Sequence, residues 1–219
     1  MPRALFEKSG RAIYISHLDL MRVFQRAFQR AGLPLTHTQG FNPRPSVSIA
    51  LPLSLGVESV CELLDFDLYG EPIPVEEICA RLNAALIDGV TVREVYEGGG
   101  KIKNLAYLDC ALTMEYDSGV PQEAESAVKA LFSREEILME KRNRNGVRTE
   151  NIIPMIRTLD VTRTGEHTLE LRARVCCQNP VLNPMQMAAA IETHLPQYRP
   201  DFVKCRRTEI YDVNEEKFR

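Results

Sequence analysis

The stretch SHLDLMRVFQRAFQRA, residues 16–31, carries the strongest helix pattern in the chain, and the other elements can be placed outward from it. Ser16 is a helix-capping residue, and Asp19 follows three positions later as its acidic partner. Apolar residues recur at helical spacing, and they are Leu20, Met21, Phe24, Ala27, Phe28 and Ala31. Gly32 and Pro34 then end the pattern, which therefore predicts an amphipathic helix with a capped start.

Extended segments flank this helix on both sides. Residues 5–15 are predicted to be extended, with a turn at Ser9-Gly10. Apolar runs at 47–51 and 60–68 predict two strands, Pro74 opens a second helix, and residues 90–96 predict a last strand. The first half of the chain therefore has the order β-α-β-β-α-β.

Three consecutive glycines, Gly98-Gly99-Gly100, separate the two halves of the chain. We interpret them as a linker, because three glycines lose too much backbone entropy to be favourable inside a helix or strand. The predicted domains are therefore residues 1–98 and residues 104–219.

The second half repeats this order with an additional hairpin. Alternation at 108–116 predicts a strand, and Pro121 opens a helix. Residues 136–142 and 147–153 flank Asn145-Gly146, a strong hairpin signal, and alternation returns at 169–175. A helix capped by Asn183 and a strand at 202–211 complete the half. We predict an α+β fold of two tandem ferredoxin-like (βαββαβ) domains with antiparallel sheets, the second with an extra hairpin strand.

The composition is that of a globular protein. The chain has 219 residues, of which 44% are hydrophobic and 26% charged. This composition argues against an intrinsically disordered chain. It shows neither an apolar signal core near Met1 nor an apolar run long enough to cross a bilayer. We therefore expect a cytoplasmic protein without a membrane partner.

The six cysteines do not form a ligand motif. None of them lies in a C-x-x-C pair, and most fall at apolar positions of predicted strands or helices. Cys176 and Cys177 are adjacent, but neighbours on a strand point to opposite faces. We expect reduced thiols, no metal site and no cofactor in this chain.

Charge is unevenly distributed along the sequence. The net charge of −3 gives no overall attraction to nucleic acid. Residues 1–50, however, contain seven cations and two acids, whereas residues 51–98 contain two cations and ten acids. A local basic face on an acidic protein is therefore expected.

Two neighbouring groups are candidate substrate-binding residues. Arg22, Arg26 and Arg30 recur every fourth residue without an acid at the intervening four-residue spacings, and guanidinium groups bind phosphate bidentately. A solvated helix face is the favoured alternative for these arginines.

The loop GFNPRP, residues 40–45, is the second group. It offers a stackable ring at Phe41, an amide at Asn42 and a cation at Arg44. The alternative for this loop is a rigid turn.

His17 is the candidate catalytic residue. It stands at the start of the helix, where it could donate or accept a proton or face a phosphate group. The alternative is a histidine that closes the helix end against a neighbouring strand.

A cationic hairpin tip is predicted in the second half. Lys141, Arg142, Arg144 and Arg148 surround the Asn145-Gly146 turn, and such a group suits an RNA backbone. Charged strand edges that prevent aggregation are an equally good explanation.

Most of the chain also resembles a known family, and the resemblance is densest in the first 60 residues. The segments that carry the resemblance are SHLDLMR (16–22), RA (26–27), GLPL (32–35), GFNP (40–43) and LSLGVES (53–59). They resemble the radical SAM-linked protein family, a bacterial family of unknown function whose members are fused to radical SAM proteins or encoded beside them. The resemblance implies a radical SAM partner that holds S-adenosylmethionine and an iron-sulfur cluster. This chain lacks the C-x-x-x-C-x-x-C arrangement that would hold such a cluster.

A more distant resemblance concerns architecture alone. CRISPR repeat-processing endoribonucleases are similar in having two ferredoxin-like domains, often with a histidine in the first. This chain lacks the glycine-rich loop that those nucleases carry near the C-terminus, which weakens a nuclease interpretation.

Three functions follow as expectations. The leading one is a non-catalytic module that binds structured RNA, such as tRNA or rRNA, for a separate radical SAM enzyme. The first alternative is a metal-independent RNA-cleaving or RNA-modifying enzyme that uses His17 as general acid or base. The second is a structural adaptor that docks on a radical SAM protein through the acidic surface between Glu58 and Glu77.

Overall fold

The computed structural model describes residues 1–143 and 146–219. They form a mixed α+β structure with mostly antiparallel sheet, and the described residues contain four α-helices and ten strands. The chain divides into two compact units, Met1–Asn104 together with Lys217–Arg219, and Leu105–Glu216. The last three residues thus belong to the first unit, although the sequence suggested a second domain that ran to residue 219.

The first unit has the β-α-β-β-α-β order that the sequence predicts. Its elements are β1 (Pro2–Lys8), α1 (His17–Arg30), β2 (Val47–Ile49), β3 (Val57–Phe66), α2 (Val75–Ala85) and β4 (Val90–Glu97). The strands lie in the order β4-β1-β3-β2, and each neighbouring pair is antiparallel. One detail differs from the prediction: residues Gly10–Tyr14 form a short 3₁₀ helix instead of continuing the extended segment.

Both helices of the first unit pack on one face of this sheet. The apolar face of α1 buries Leu20, Phe24, Ala27 and Phe28. Phe24 meets Phe6 of β1 edge to face, with ring centroids 4.8 Å apart, and Phe28 meets Phe66 of β3 at 4.9 Å. Aromatic pairs at these distances add to the free energy of burial, so they fix α1 firmly against the sheet.

A buried lysine supports the segment that leads into α1. Lys8 is 1% exposed, and its Nζ donates hydrogen bonds to the carbonyl oxygens of Ile13 (3.2 Å) and Ile15 (2.8 Å). Burial lowers the pKa of Lys8, and the charge of Glu62 opposes that change. These two bonds hold the chain immediately before the capping residue Ser16.

The second unit contains four strands of a sheet, two helices and a separate hairpin. Its elements are β5 (Leu105–Glu115), α3 (Ala124–Phe132), β6 (Leu138–Asn143), β7 (Gly146–Asn151), β8 (Ile156–Arg163), β9 (Thr168–Cys176), α4 (Met185–His194) and β10 (Phe202–Asp212). The sheet has the order β10-β5-β9-β8 with antiparallel pairs, and β6 pairs with β7.

The strand β8 was not predicted from the sequence. Buried and exposed residues alternate only weakly along β8. Val161, which pairs with Leu171 of β9, is the one fully buried residue of this strand. Arg157, Thr158 and Asp160 make the segment polar, because β8 lies at the edge of the sheet, where one side of the strand has no neighbour in this unit. The predicted hairpin thus lies outside the four-stranded sheet, whereas β8 supplies the strand within it.

All six cysteines are free thiols, five of them buried and Cys79 half-buried. The described residues contain no cluster of three or more His, Cys, Asp or Glu side chains that could hold a metal ion. Within the same residues, no helix is both long enough and apolar enough to cross a membrane.

Candidate functional site

A cleft of about 480 Å³ lies beside the C-terminal half of α1 in the first unit. Its lining residues are Gln25, Arg26, Phe28, Gln29, Leu33, Pro34, Leu35, His37, Pro45 and Tyr69. None of these ten residues is acidic, although the chain as a whole carries a net charge of −3. The cleft therefore combines an apolar floor with cationic and amide groups, a lining that suits an anionic ligand.

The helix α1 supplies the polar wall of the cleft. Gln25 and Gln29 are one helical turn apart, so their amides lie on the same side of the helix, with Arg26 beside them. Phe28, which is fully buried, anchors this part of the helix against the sheet. The amides and the guanidinium are therefore held on a rigid element.

The other lining residues come from segments that long-range backbone contacts hold in place. The amide of Tyr69 donates to the carbonyl of Pro34 at 3.0 Å, and Leu35 forms a β-bridge with Leu68. The Tyr69 side chain stays 62% exposed while lining the cleft. An accessible aromatic residue thus lines the same cleft as the two glutamines of α1.

The base of the predicted loop, residues 40–45, adjoins the cleft. A β-bridge joins His37 to Pro45, and Thr38 and Arg44 exchange two hydrogen bonds, from Thr38 N to Arg44 O (2.8 Å) and from Arg44 N to Thr38 Oγ1 (3.0 Å). Because His37 and Pro45 line the cleft, the closed base of the loop is part of the site.

The tip of this loop is open to solvent. Phe41 has a relative exposure of 105%, and Asn42 and Arg44 are also exposed. A fully exposed phenylalanine contributes nothing to the core of the first unit. The structure thus places all three loop candidates where a large ligand can reach them.

The three candidate arginines of α1 have different surroundings. Arg22 forms an ion pair with Asp19 at 2.7 Å, so the expectation of unneutralised arginines is wrong at this position, because the acid lies three residues away instead of four. Arg30 donates to the carbonyl of Ala85 at the end of α2. Among the described residues, Arg26 has no hydrogen-bond or ion-pair partner. It is also the one of these three arginines that lines the cleft.

His17 does not belong to this cleft. It is half-buried at the first position of α1, and nine residues separate it from Arg26. At about 100° per residue, nine residues place the two side chains on opposite sides of the helix, about 14 Å apart along its axis.

The capping prediction is confirmed. Ser16 Oγ accepts from the Asp19 amide (3.2 Å) and donates to Asp19 Oδ2 (2.7 Å). The hydrogen bond from Ser16, followed by that from Arg22, lowers the pKa of Asp19 below its ordinary value. Ser16 and Asp19 therefore stabilise the start of α1.

The cationic hairpin is described in part. Lys141 forms an ion pair with Glu150 (3.3 Å) and donates to the carbonyl of Val181 (3.2 Å), whereas Arg148 is exposed. Arg144 lies outside the described residues, as does the side chain of Arg142. Of the two described cations, Lys141 is thus engaged within the second unit.

Four acids of the segment between Glu58 and Glu77 are buried or take part in contacts within the first unit. Glu62 is 2% exposed, and Asp65 forms a bidentate ion pair with Arg3. Asp67 accepts a hydrogen bond from Thr36 (3.0 Å), and Glu77 pairs with Arg81. Of the acidic docking surface that the sequence suggested, Glu71 and Glu76 stay exposed outside these contacts.

Sequence reasoning missed four lining residues as candidates: Gln25, Gln29, His37 and Tyr69. The two glutamines were visible as an i, i+4 pair beside the arginines. His37 and Tyr69 gave no local signal, because only contacts between distant segments bring them to the cleft.

A family model described as "Uncharacterized protein conserved in bacteria (DUF2344)" matches residues 2–184, which include the whole cleft. The chain belongs to the DUF2344 family. No curated protein matches the sequence of this DUF2344 member.

Two solved structures are similar to it. One chain of a structure entitled "Crystal Structure of a Cbf5-Nop10-Gar1 Complex" matches 95% of this chain with 11% identity and a TM-score of 0.50. The match covers 48% of that chain, so this DUF2344 protein spans about half of its length. An unknown protein from Galdieria sulphuraria is aligned over 97% of both chains with 11% identity, at a TM-score of 0.27. At 11% identity the first likeness concerns the fold alone.

Proposed function

We propose that this DUF2344 protein is a non-catalytic module that binds structured RNA, such as tRNA or rRNA, for a separate radical SAM enzyme. The observation that carries the proposal is the acid-free cleft beside the exposed Phe41, Asn42 and Arg44 on a protein of net negative charge. The resemblance of residues 16–59 to radical SAM-linked proteins supplies the partner, which would hold the S-adenosylmethionine and the cluster.

Phosphate contacts are assigned to Arg26 and Arg44. Both are exposed, and the described residues offer neither guanidinium an acidic partner. An unpaired guanidinium is ready for bidentate contact with phosphate oxygens. Arg22 and Arg30 already have partners within the first unit, so we assign them a smaller share of the binding energy.

Phe41 and Asn42 are assigned to the exposed bases of the RNA. Proteins that recognise RNA loops stack unpaired bases on aromatic rings and hydrogen-bond their edges. Phe41 is fully exposed, so a base that covered its ring would gain the free energy of burying that apolar surface. Phe41 and Asn42 are adjacent and exposed in the loop whose end residue Pro45 lines the cleft.

We also infer that both units are ferredoxin-like. The orders β4-β1-β3-β2 and β10-β5-β9-β8 correspond when the β6–β7 hairpin is set aside, and all pairs are antiparallel. Two helices accompany four sheet strands in each unit. This correspondence supports a tandem of βαββαβ domains.

Fluorescence anisotropy with a labelled tRNA tests the RNA part of the proposal. The affinity should fall linearly with salt on a logarithmic plot, and Arg26→Gln or Arg44→Gln should each reduce the slope by about 0.7–0.9. Arg81→Gln is the matched control, because Arg81 is exposed in the same unit but paired with Glu77 outside the cleft. Absence of salt-sensitive RNA binding, with and without a radical SAM partner, would overturn the proposal.

Copurification tests the partner. A tagged form of this chain, coexpressed with a radical SAM protein from the same organism, should retain that protein on the affinity resin. Failure to retain it in the presence and in the absence of RNA would remove the radical SAM part while leaving the RNA part standing.

A further inference from the structure

We propose that the cleft receives one unpaired nucleotide of the RNA, a proposal that rests on the RNA-binding function above. A volume of about 480 Å³ lies within the range of sites for single small ligands. Bases inside a duplex are stacked and paired, so a base that enters such a cleft has to come from a bulge, a loop or an end.

The polar wall matches the edge of a base. The amides of Gln25 and Gln29 each provide hydrogen-bond donors and an acceptor, one helical turn apart on α1. Unpaired bases present both donors and acceptors on their edges. Two amides on one rigid helix can therefore hold such an edge in a fixed orientation.

The remaining walls match the face of the base and its phosphate. Tyr69, which is 62% exposed and lines the cleft, offers its ring as a stacking surface. Arg26, on the helix beside the two glutamines, can bind the phosphate of the same nucleotide. The lining contains no carboxylate that would repel that phosphate.

The cleft is formed before any ligand arrives. Phe28 at its floor is fully buried, and the bond from Tyr69 N to Pro34 O holds the far wall. A site built on a packed helix and a hydrogen-bonded segment loses little conformational entropy when it binds. It can therefore select one extruded nucleotide over paired RNA.

Two RNA hairpins that differ by one unpaired adenosine in the stem provide the test. By anisotropy at a single salt concentration, the bulged hairpin should bind at least about tenfold more tightly than its fully paired counterpart. The double variant Gln25→Ala, Gln29→Ala and the single variant Tyr69→Ala should each reduce this preference to about twofold. Their affinity for the paired hairpin should stay unchanged.

Two matched controls and one spectroscopic signal accompany this test. Gln197→Ala and Tyr14→Ala change an exposed glutamine and a 70% exposed tyrosine outside the cleft, and both should keep the preference. A 2-aminopurine at the bulge should change its fluorescence on binding, and Tyr69→Ala should abolish that change.

The possible failures are distinguishable. Equal affinity of the unmodified protein for both hairpins would overturn the nucleotide site and leave the RNA-binding function intact. Absence of binding to either hairpin at low salt would overturn both proposals.

Discussion

The backbone of Gly100 lies directly against the ring of Phe218, so that a Cβ atom on Gly100 would come within 2.6 Å of Phe218 Cε2. The amide of Gly100 donates to the carbonyl of Arg219 at 2.6 Å, and the Arg3 guanidinium lies over the Phe218 ring at 5.4 Å. Gly100, one of the three glycines that the sequence suggested as a linker, thus also has a packing reason, because Phe218 occupies the space where its side chain would be.

Gly100→Ala should therefore destabilise the first unit. The added methyl group has to displace Phe218, which is 4% exposed, and overpacking of this kind costs about 1–3 kcal/mol. Urea denaturation measures the change in the free energy of unfolding. In a double-mutant cycle, the same substitution in a Phe218→Ala background should cost clearly less. If Gly100→Ala lowered the free energy of unfolding equally in both backgrounds, the result would contradict a contact between residue 100 and Phe218.

Ser16→Ala should weaken the start of α1. Loss of the capping hydroxyl should cost about 1 kcal/mol, whereas Ser48→Ala on the exposed side of β2 should cost less than about 0.5 kcal/mol. The pKa of Asp19 should rise in the variant, since the bond from Ser16 is the largest cause of its lowering. A carboxyl whose pKa is lower in the folded state stabilises at neutral pH, and this contribution disappears as the pH falls below about 4. NMR titration of Asp19 in both proteins measures the shift.

Arg30 should contribute to the stability of the first unit, whereas Arg26 should contribute to RNA binding. Arg30 donates to a carbonyl at the end of α2, where helix carbonyls lack partners within the helix, so Arg30→Gln should reduce the stability of the unit by about 1 kcal/mol. Arg26→Gln should leave stability within about 0.5 kcal/mol and weaken RNA binding. The reverse pattern in chemical denaturation and anisotropy would contradict both assignments.

The elements of the first unit could be predicted because their signals are local. The capping pair and the apolar spacing of α1 depend on neighbours within a few residues, as does Pro74 at the start of α2. The structure reproduces those patterns. The edge strand β8 was not predicted, because a strand at the edge of a sheet shows only weak alternation of apolar and polar residues.

The cleft could be predicted only in part, because its walls come from distant parts of the sequence. Arg26 stood out through its spacing, whereas Tyr69 reaches the site only through its bond to Pro34. Pairings between segments that are more than 30 residues apart leave no local pattern. His17 shows the opposite error: a conspicuous residue at a helix start lies on the side of α1 away from Arg26.

His17→Ala should leave RNA affinity within about twofold of the unmodified protein. His17 lies outside the cleft, on the side of α1 away from Arg26, so it does not take part in the proposed RNA contacts. Incubation with labelled RNA should leave the RNA intact for both proteins, as judged on a denaturing gel. Cleavage by the unmodified protein that His17→Ala abolishes would instead support the enzyme alternative.

The buried thiols should resist alkylation in the folded protein. Burial raises the pKa of Cys177 to about 11 and that of Cys205 to about 11, and it also raises the pKa of Cys110. Because the thiolate is the reactive form, about one thiol in a thousand is reactive at pH 8 for a pKa of 11, against about one in four for an ordinary cysteine.

Iodoacetamide labelling followed by mass spectrometry measures this protection. At pH 8 the half-buried Cys79 should react first and the five buried cysteines at least about a hundredfold more slowly than in the urea-unfolded chain, in which all six should react. Raising the pH toward 11 should speed the reaction of Cys177 and Cys205, because their thiolate fraction grows over that range. Rapid labelling of Cys177 in the folded protein at pH 8 would show that the second unit opens far more readily than its packing implies.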